Sequence, residues 1–106
     1  MIEVVIPVID EHRAQLASLC VKYQVSRLDV MGSAIRNDFR DDESDIDFVV
    51  QFDGLTPANA ADRYFGLLVD LEDLFGRKID LISYTAIRNP YFKQVVDQTR
   101  VSLYAA

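Results

Sequence analysis

Residues 44–52 constrain the fold of this chain more than any other segment, because apolar and acidic residues alternate along them. This period of two predicts a β-strand with one face in a hydrophobic core and Asp45 and Asp47 on the other face. The two Cα atoms would lie about 7 Å apart. Adjacent carboxylates repel each other, and a divalent cation such as Mg²⁺, which prefers oxygen ligands, would remove that repulsion. For this pair alone, an ordinary solvated strand face is the alternative.

A third carboxylate, Asp80, lies in another short apolar stretch, residues 78–83, which we also predict to be a strand. Its neighbours Ile79 and Leu81 would face away from it. An acid in such a strand usually has a partner, since an isolated charge there is costly. If this strand lies beside residues 44–52, three carboxylates meet on one face. Two metal ions held ~3.5–4 Å apart there could clamp the attacking and leaving oxygens of a phosphoryl displacement.

A Gly-Ser turn follows a short predicted strand at residues 27–31. Gly32 permits a close backbone approach, and Ser33 offers its hydroxyl and its amide to a phosphate group. Ser33 could instead cap the next turn. Arg36 could contact phosphate or form a surface ion pair. The turn is a weak signal alone, and its interest comes from its position ahead of the aspartates.

The remaining elements are predicted from helical periodicity and from helix start and stop signals. They are a helix from Pro7 to about Gln24, a helix that starts at Thr56 and stops at Gly76, and a short helix from Tyr91 to about Gln98. Residues 101–104 form an apolar tail that is compatible with a last strand. This order predicts an α/β (α+β) fold in which helices flank a small mixed sheet.

The net charge of −6 argues against non-specific nucleic-acid binding, and we expect no direct nucleic-acid partner. The single cysteine, Cys20, cannot form an intrachain disulfide, which is consistent with a reducing compartment. No apolar run approaches the ~20 residues of a membrane span, and the N-terminus lacks a secretory pattern. We therefore expect one cytoplasmic domain over residues 1–106, without membrane contact.

Three sequence runs together resemble the minimal nucleotidyltransferase family of the polymerase-beta superfamily, and the likeness extends over nearly the whole chain. They are Met-Gly-Ser-Ala-Ile-Arg at residues 31–36, Ser-Asp-Ile-Asp-Phe-Val-Val at 44–50, and Arg-Lys-Ile-Asp-Leu-Ile at 77–82. The resemblance implies the polymerase-beta-like nucleotidyltransferase fold. It also implies a nucleoside triphosphate, usually ATP, as substrate.

The resemblance also assigns roles to individual residues. Gly32 and Ser33 would bind the nucleotide, and we add Arg36 as a candidate for the same role. Asp45 and Asp47 would be ligands of two Mg²⁺ ions. Asp80 would be a ligand of the catalytic metal and the base toward the acceptor hydroxyl. All six residues are therefore candidates for the active site.

Many small members of this family pair with a helical HEPN-type toxin and act as antitoxins by placing AMP on a toxin tyrosine. We expect such a cognate toxin as partner, in an assembly that could also contain several copies of this chain. The loop between Ser33 and Asp45 is one residue longer than is common in the family, and Asn37 replaces a frequent glycine. A catalytically weak or inactive antitoxin that only occludes its partner is the alternative. A small-molecule transferase would need a larger pocket, which a dimer could supply.

Overall fold

The computed structural model describes residues 7–31 and 46–106. The strands in these residues are β1 Val25–Met31, β2 Ile46–Phe52, β3 Ile79–Ser83 and β4 Val101–Ala105. The helices are α1 Pro7–Asp10, α2 Arg13–Lys22, α3 Ala60–Phe75 and α4 Pro90–Thr99, and a 3-10 turn spans Tyr84–Ala86. No helix in this part of the chain is long and apolar enough to cross a bilayer.

The sheet is mixed, with the strand order β3-β2-β1-β4. β1 is antiparallel to both β2 and β4, whereas β2 and β3 run parallel. Parallel neighbours need a crossover connection, and α3 lies in the segment that joins β2 to β3. The predicted fold class, a small mixed sheet flanked by helices, is confirmed. The apolar tail does form the last strand, β4.

The alternation along β2 separates the two faces of the sheet. Phe48 and Val50 are fully buried in the main core, together with residues of α2 and α3. Val49 points to the opposite face and packs with Met31 and with Val96 of α4. The residues buried in the main core are Ile9, Leu16, Cys20, Val25, Leu28, Val30, Ile46, Phe48, Val50, Leu67, Leu71, Phe75, Ile79 and Leu81.

Cys20 belongs to that core. It is a free cysteine with no exposed surface. Burial raises the pKa of the Cys20 thiol to about 12, because the thiolate would lose its hydration. The residue is therefore an inert packing element in the folded chain.

The prediction of one continuous helix through residues 7–24 is wrong, because a two-residue turn separates α1 from α2. The cause is His12, whose Nδ1 lies 2.7 Å from the carbonyl oxygen of Val8. The backbone N–H of His12 instead donates to Ile9, one residue closer than in an α-helix. The His12 ring also packs edge-on against Phe75, at 5.2 Å between ring centroids. This packing holds the turn on the core.

The third helix starts later than predicted, at Ala60 instead of Thr56. The carbonyl of Thr56 accepts from the N–H groups of both Asn59 and Ala60, so the chain first makes a turn. The side chain of Asn59 closes that turn by accepting from the N–H of Thr56, at 2.9 Å. The stop at Gly76 is as predicted. Gly76 has a φ of +63°, a left-handed conformation that favours glycine at the end of a helix.

The close packing of α2 against α3 depends on Gly66. A Cβ atom at this position would lie only 2.7 Å from Cε1 of Tyr23. The Tyr23 hydroxyl donates to the carboxylate of Asp70 at 2.6 Å, so the ring is held on α3 by this bond. We expect Gly66→Ala to lower the free energy of unfolding by about 1–3 kcal/mol through overpacking. The better helix propensity of alanine, at most about 1 kcal/mol, offsets part of this loss.

Urea unfolding of a double-mutant cycle would test this expectation. Replacement of Tyr23 by leucine removes the ring that Gly66→Ala would strike. The cost of Gly66→Ala should therefore fall in the Tyr23→Leu background. An equal cost in both backgrounds would show that the helix contact is not the cause.

Candidate active site

Asp47 and Asp80 are direct partners in the parallel pairing of β2 with β3. Paired residues project from the same face of a sheet, and neighbouring strands lie ~4.8 Å apart. The two carboxylates therefore lie side by side on one face. The predicted meeting of carboxylates required the strand within residues 78–83 to lie beside the strand within residues 44–52. The strand order shows that β3 and β2 are neighbours.

The orientation of Asp80 follows from its neighbours in β3. Ile79 and Leu81 are buried in the main core, so the alternating residue Asp80 must point to the opposite face. Asp80 is exposed and Asp47 is half-buried. The two acids thus lie on the face opposite the main core, which α4 covers only in part.

The end of β1 lies next to the acids, since Met31 pairs with Asp47 in the antiparallel ladder. The predicted phosphate-binding turn would begin immediately after Met31. Four predicted site residues fall outside the described residues, and their assignment remains a prediction: Gly32, Ser33, Arg36 and Asp45.

Asp47 and Asp80 line a cleft of about 520 Å³. Met31 is also part of this cleft, and its walls include Tyr64 of α3 and Phe92 of α4. Clefts of roughly 300–1,000 Å³ are the size that proteins use for small-molecule ligands and cofactors. The acids therefore open into a space that could hold part of a nucleotide or of an acceptor.

Tyr64 supports the strand that carries Asp80. Its hydroxyl donates a hydrogen bond to the carbonyl of Leu81, the residue after Asp80. Burial raises the pKa of the Tyr64 phenol, and the negative charge of Asp80 raises it further. Tyr64 therefore stays protonated and remains a donor to the edge strand β3. Helical periodicity in the sequence gives no indication of this hydrogen bond, although a tyrosine that packs on a core usually has a hydroxyl partner.

The donor chemistry of Asp47 and Asp80 fits Mg²⁺, which prefers carboxylate oxygens and often completes its shell with water and substrate phosphates. Within residues 7–31 and 46–106, no group of three potential metal ligands comes together. The third predicted ligand, Asp45, is outside that range. The described residues thus supply two of the three predicted carboxylates.

Sequence reasoning missed a buried carboxylate on the same face of the sheet. Asp29 of β1 is fully buried, and its Oδ1 lies 2.9 Å from Nε of Arg27. Its Oδ2 lies 3.3 Å from the guanidinium of Arg100, close enough for an ion pair but without hydrogen-bond geometry. Arg100 follows α4 and also reaches Asp97 of that helix at 3.4 Å. This network ties the end of α4 to the sheet.

This chain is similar to known nucleotidyltransferases. The family model described as "Nucleotidyltransferase domain" matches residues 12–102. Two proteins of Methanocaldococcus jannaschii, each named "Putative protein adenylyltransferase", are 36% and 39% identical to this chain over 77 residues. Each alignment covers 73% of this chain, and 75% and 74% of the respective relative.

Solved structures show the same fold. A structure described as a "putative minimal nucleotidyltransferase" has a TM-score of 0.65 and 28% identity, over 87% of this chain and 89% of that one. A toxin-antitoxin structure with AMP-PNP has a TM-score of 0.66 and 18% identity, over 89% and 73%. A tri-AMPylated HEPN toxin of Shewanella oneidensis in complex with an MNT antitoxin gives a TM-score of 0.61 and 17% identity, over 92% and 73%.

The fold and the family model together place this protein in the class of nucleotidyltransferase enzymes. The chain belongs to the nucleotidyltransferase domain family, and within it to the minimal nucleotidyltransferases. The family recognised from the three sequence runs is thereby confirmed.

Proposed function

We propose that this protein transfers AMP from ATP to a tyrosine hydroxyl of a cognate HEPN-type toxin, in a Mg²⁺-dependent reaction, and so acts as an antitoxin. The observation that carries the proposal is the pairing of Asp47 with Asp80 across β2 and β3, inside an open cleft. Two adjacent carboxylates that line a cleft suit a metal-dependent phosphoryl transfer better than a structural role.

The proposed roles are taken in the order of the residues along the chain. Gly32, Ser33 and Arg36 hold the triphosphate at the turn after β1. Asp45, Asp47 and Asp80 would hold the Mg²⁺ ions, which would supply positive charge for the phosphates and for the leaving pyrophosphate. Asp80 receives the proton of the acceptor hydroxyl.

The bonds change at a single phosphorus atom. The tyrosine oxygen bonds to the α-phosphorus, and the bond from this phosphorus to the oxygen bridging to the β-phosphorus breaks. Pyrophosphate leaves with that oxygen, and AMP stays on the toxin. Asp80 lies on the edge strand β3, so an acceptor protein can approach it from outside the sheet.

The comparisons support the acceptor class. The two relatives that are 36% and 39% identical to this chain are each named "Putative protein adenylyltransferase". One structural neighbour contains AMP-PNP, and another contains an AMPylated HEPN toxin. These ligands and modifications belong to those proteins, and they motivate the choice of ATP and of a HEPN-type partner for this chain.

A labelling experiment would test the proposal. The protein is incubated with Mg²⁺, a purified HEPN-type partner, and ATP labelled either at the α- or at the γ-phosphate. We expect the α-label alone to appear on a partner tyrosine, located by mass spectrometry, and excess EDTA to prevent it. Transfer of the γ-label would indicate a kinase. Neutralisation of the toxin without any label would favour the occluding antitoxin instead.

A further inference from the structure

Three of the seven exposed large apolar side chains among the described residues lie on helix α4. Tyr91, Phe92 and Val95 are 80%, 40% and 48% exposed. At 100° per residue, these three positions lie within a single sector of the helix. We call this surface the α4 patch. Clustered apolar side chains of this kind mark interaction sites more often than single exposed residues do.

The α4 patch is continuous with the candidate active site through Phe92. Phe92 lines the cleft that contains Asp47 and Asp80. It also lines a second recess of about 300 Å³, which includes Ser83 at the end of β3 and Arg88 before α4. The two recesses therefore meet at Phe92, on the side of the edge strand β3. β1, which precedes the predicted phosphate turn in the sequence, is separated from β3 by β2 in the sheet.

The segment that carries the α4 patch has basic but no acidic side chains, although Asp80 precedes it and Asp97 follows it. Residues 81–96 contain Arg88 and Lys93 but no acidic residue, although the net charge of the chain is −6. Both basic side chains are exposed. Arg88 forms no ion pair with any residue that the structure describes. A complementary partner surface is therefore apolar at its centre and acidic at its rim.

The patch is also held in place. Arg100, at the end of α4, is anchored to the buried carboxylate of Asp29 and stacks on the ring of Tyr84, 4.4 Å from its centroid. At the start of the helix, the side chain of Asn89 accepts from the N–H groups of Tyr91 and Phe92. A helix fixed at both ends presents its apolar side chains with little further loss of entropy on binding.

We infer that the α4 patch binds the protein acceptor, with Phe92 against the acceptor tyrosine and Arg88 and Lys93 against acidic side chains around it. This inference rests on the proposed function, which places the acceptor hydroxyl near Asp80. In this arrangement α4 recognises the acceptor protein, and the predicted turn after β1 binds the nucleotide.

The test compares two exposed phenylalanines. Phe92→Ala removes the centre of the patch, whereas Phe65→Ala removes a ring on α3 that is 58% exposed and lines neither recess. Calorimetry without nucleotide measures the affinity for the purified HEPN-type partner. We expect Phe92→Ala to weaken it about tenfold or more, as for an aromatic hot spot. Phe65→Ala should leave it within about twofold, as for residues outside a hot spot.

Arg88→Glu provides a second variant that should fold normally, since Arg88 is exposed. It should also weaken partner binding, and the affinity of the unaltered chain should fall as salt is added. Equal affinities for Phe92→Ala and Phe65→Ala would overturn the inference, as would the absence of any complex with the unaltered chain. Mg²⁺·AMP-PNP is the probe for the nucleotide. A tenfold loss of its affinity in Phe92→Ala would show that Phe92 holds the base, which also overturns the inference.

Two further outcomes separate the inference from the proposed function. Sedimentation of the chain alone would reveal self-association, and its loss in Phe92→Ala would assign the patch to a second copy and reject the inference. A complex that forms but undergoes no AMP transfer would reject the proposed function. The affinities measured without nucleotide would still decide whether the α4 patch binds the partner.

Discussion

Asp47→Asn is expected to reduce the rate of AMP transfer about 100-fold or more while the fold is retained. Asparagine has nearly the same shape as aspartate but carries no charge, so it is a much weaker ligand for a divalent cation. Loss of one group that stabilises transition-state charge typically costs about 2.7–4 kcal/mol, or 10²–10³ in rate. Asp80→Asn should have an effect of similar size, because Asp80 is the direct partner of Asp47 in the sheet.

The initial rate with α-labelled ATP and saturating Mg²⁺ measures this effect. The matched control is Asp73→Asn. Asp73 is an exposed acid of α3, and this helix packs on the core face of the sheet, opposite Asp47 and Asp80. This control should transfer AMP at the unaltered rate. Circular dichroism should show the same secondary structure in all variants. An Asp47→Asn variant with near-normal transfer would exclude this cleft as the catalytic site.

The same variant separates the two candidate modes of toxin neutralisation. If AMP transfer is the mode, Asp47→Asn should fail to protect cells from the toxin. If the chain only occludes its partner, Asp47→Asn should protect at the same dose as the unaltered chain. Binding of the partner to the variant, measured separately, confirms that a failure to protect reflects lost chemistry.

The faces of the strands could be predicted from local patterns. Alternation along β2 was sufficient to place Phe48 in the core and Asp47 outside it, and the apolar neighbours of Asp80 did the same for β3. The register that aligns Asp47 with Asp80 could not be predicted, because it depends on how the segment containing α3 packs back on the sheet. From the sequence, the meeting of Asp47 and Asp80 could therefore be predicted only on the assumption that the two strands are neighbours.

Long-range polar contacts were invisible in the sequence. Asp29 lies between Leu28 and Val30, and no local pattern indicates that it pairs with Arg100, which is 71 positions away (100 − 29). The His12 turn has the same origin, since a side chain replaces a backbone donor and the ring packs on a distant phenylalanine. Such contacts override helical propensity, which is a weak prior.

The most important structural residue that the sequence analysis did not identify is Arg63, a charged residue on the buried side of α3. It is only 9% exposed, and its guanidinium donates to four backbone carbonyls at 2.6–3.2 Å. It also lies over the ring of Phe52, 5.2 Å from the centroid. The carbonyls belong to Tyr23, Gln24, Asp53 and Gly54. A single side chain thus joins the turn after α2 to the turn after β2.

Arg63 also supports an unfavourable backbone conformation. Gln24 has a φ of +56°, a left-handed backbone conformation that residues other than glycine and asparagine rarely adopt. Its carbonyl accepts from both Arg63, at 2.8 Å, and the N–H of Asp53, at the same distance. The two bonds hold the strained turn against the end of β2.

Arg63→Met is therefore expected to lower the free energy of unfolding by about 3–5 kcal/mol. Hydrogen bonds from a charged donor contribute about 1.5–3 kcal/mol each. The total loss is smaller than their sum, because water can reach some of the released carbonyls in the exposed turn at Asp53 and Gly54. Methionine keeps the apolar stem, so the change isolates the guanidinium. In a domain of this size, the loss corresponds to a fall of roughly 15 °C in Tm.

Urea unfolding followed by circular dichroism measures this loss, with Arg88→Met as the matched control. Arg88 is exposed and makes no ion pair within the described residues, so its replacement should change stability by less than about 0.5 kcal/mol. Arg63→Lys should fall between the two, since an ammonium keeps the charge but not the planar fork that reaches both turns. If Arg63→Met proved as stable as Arg88→Met, water would satisfy the four carbonyls equally well. The two turns would then be joined by β-sheet pairing and core packing alone.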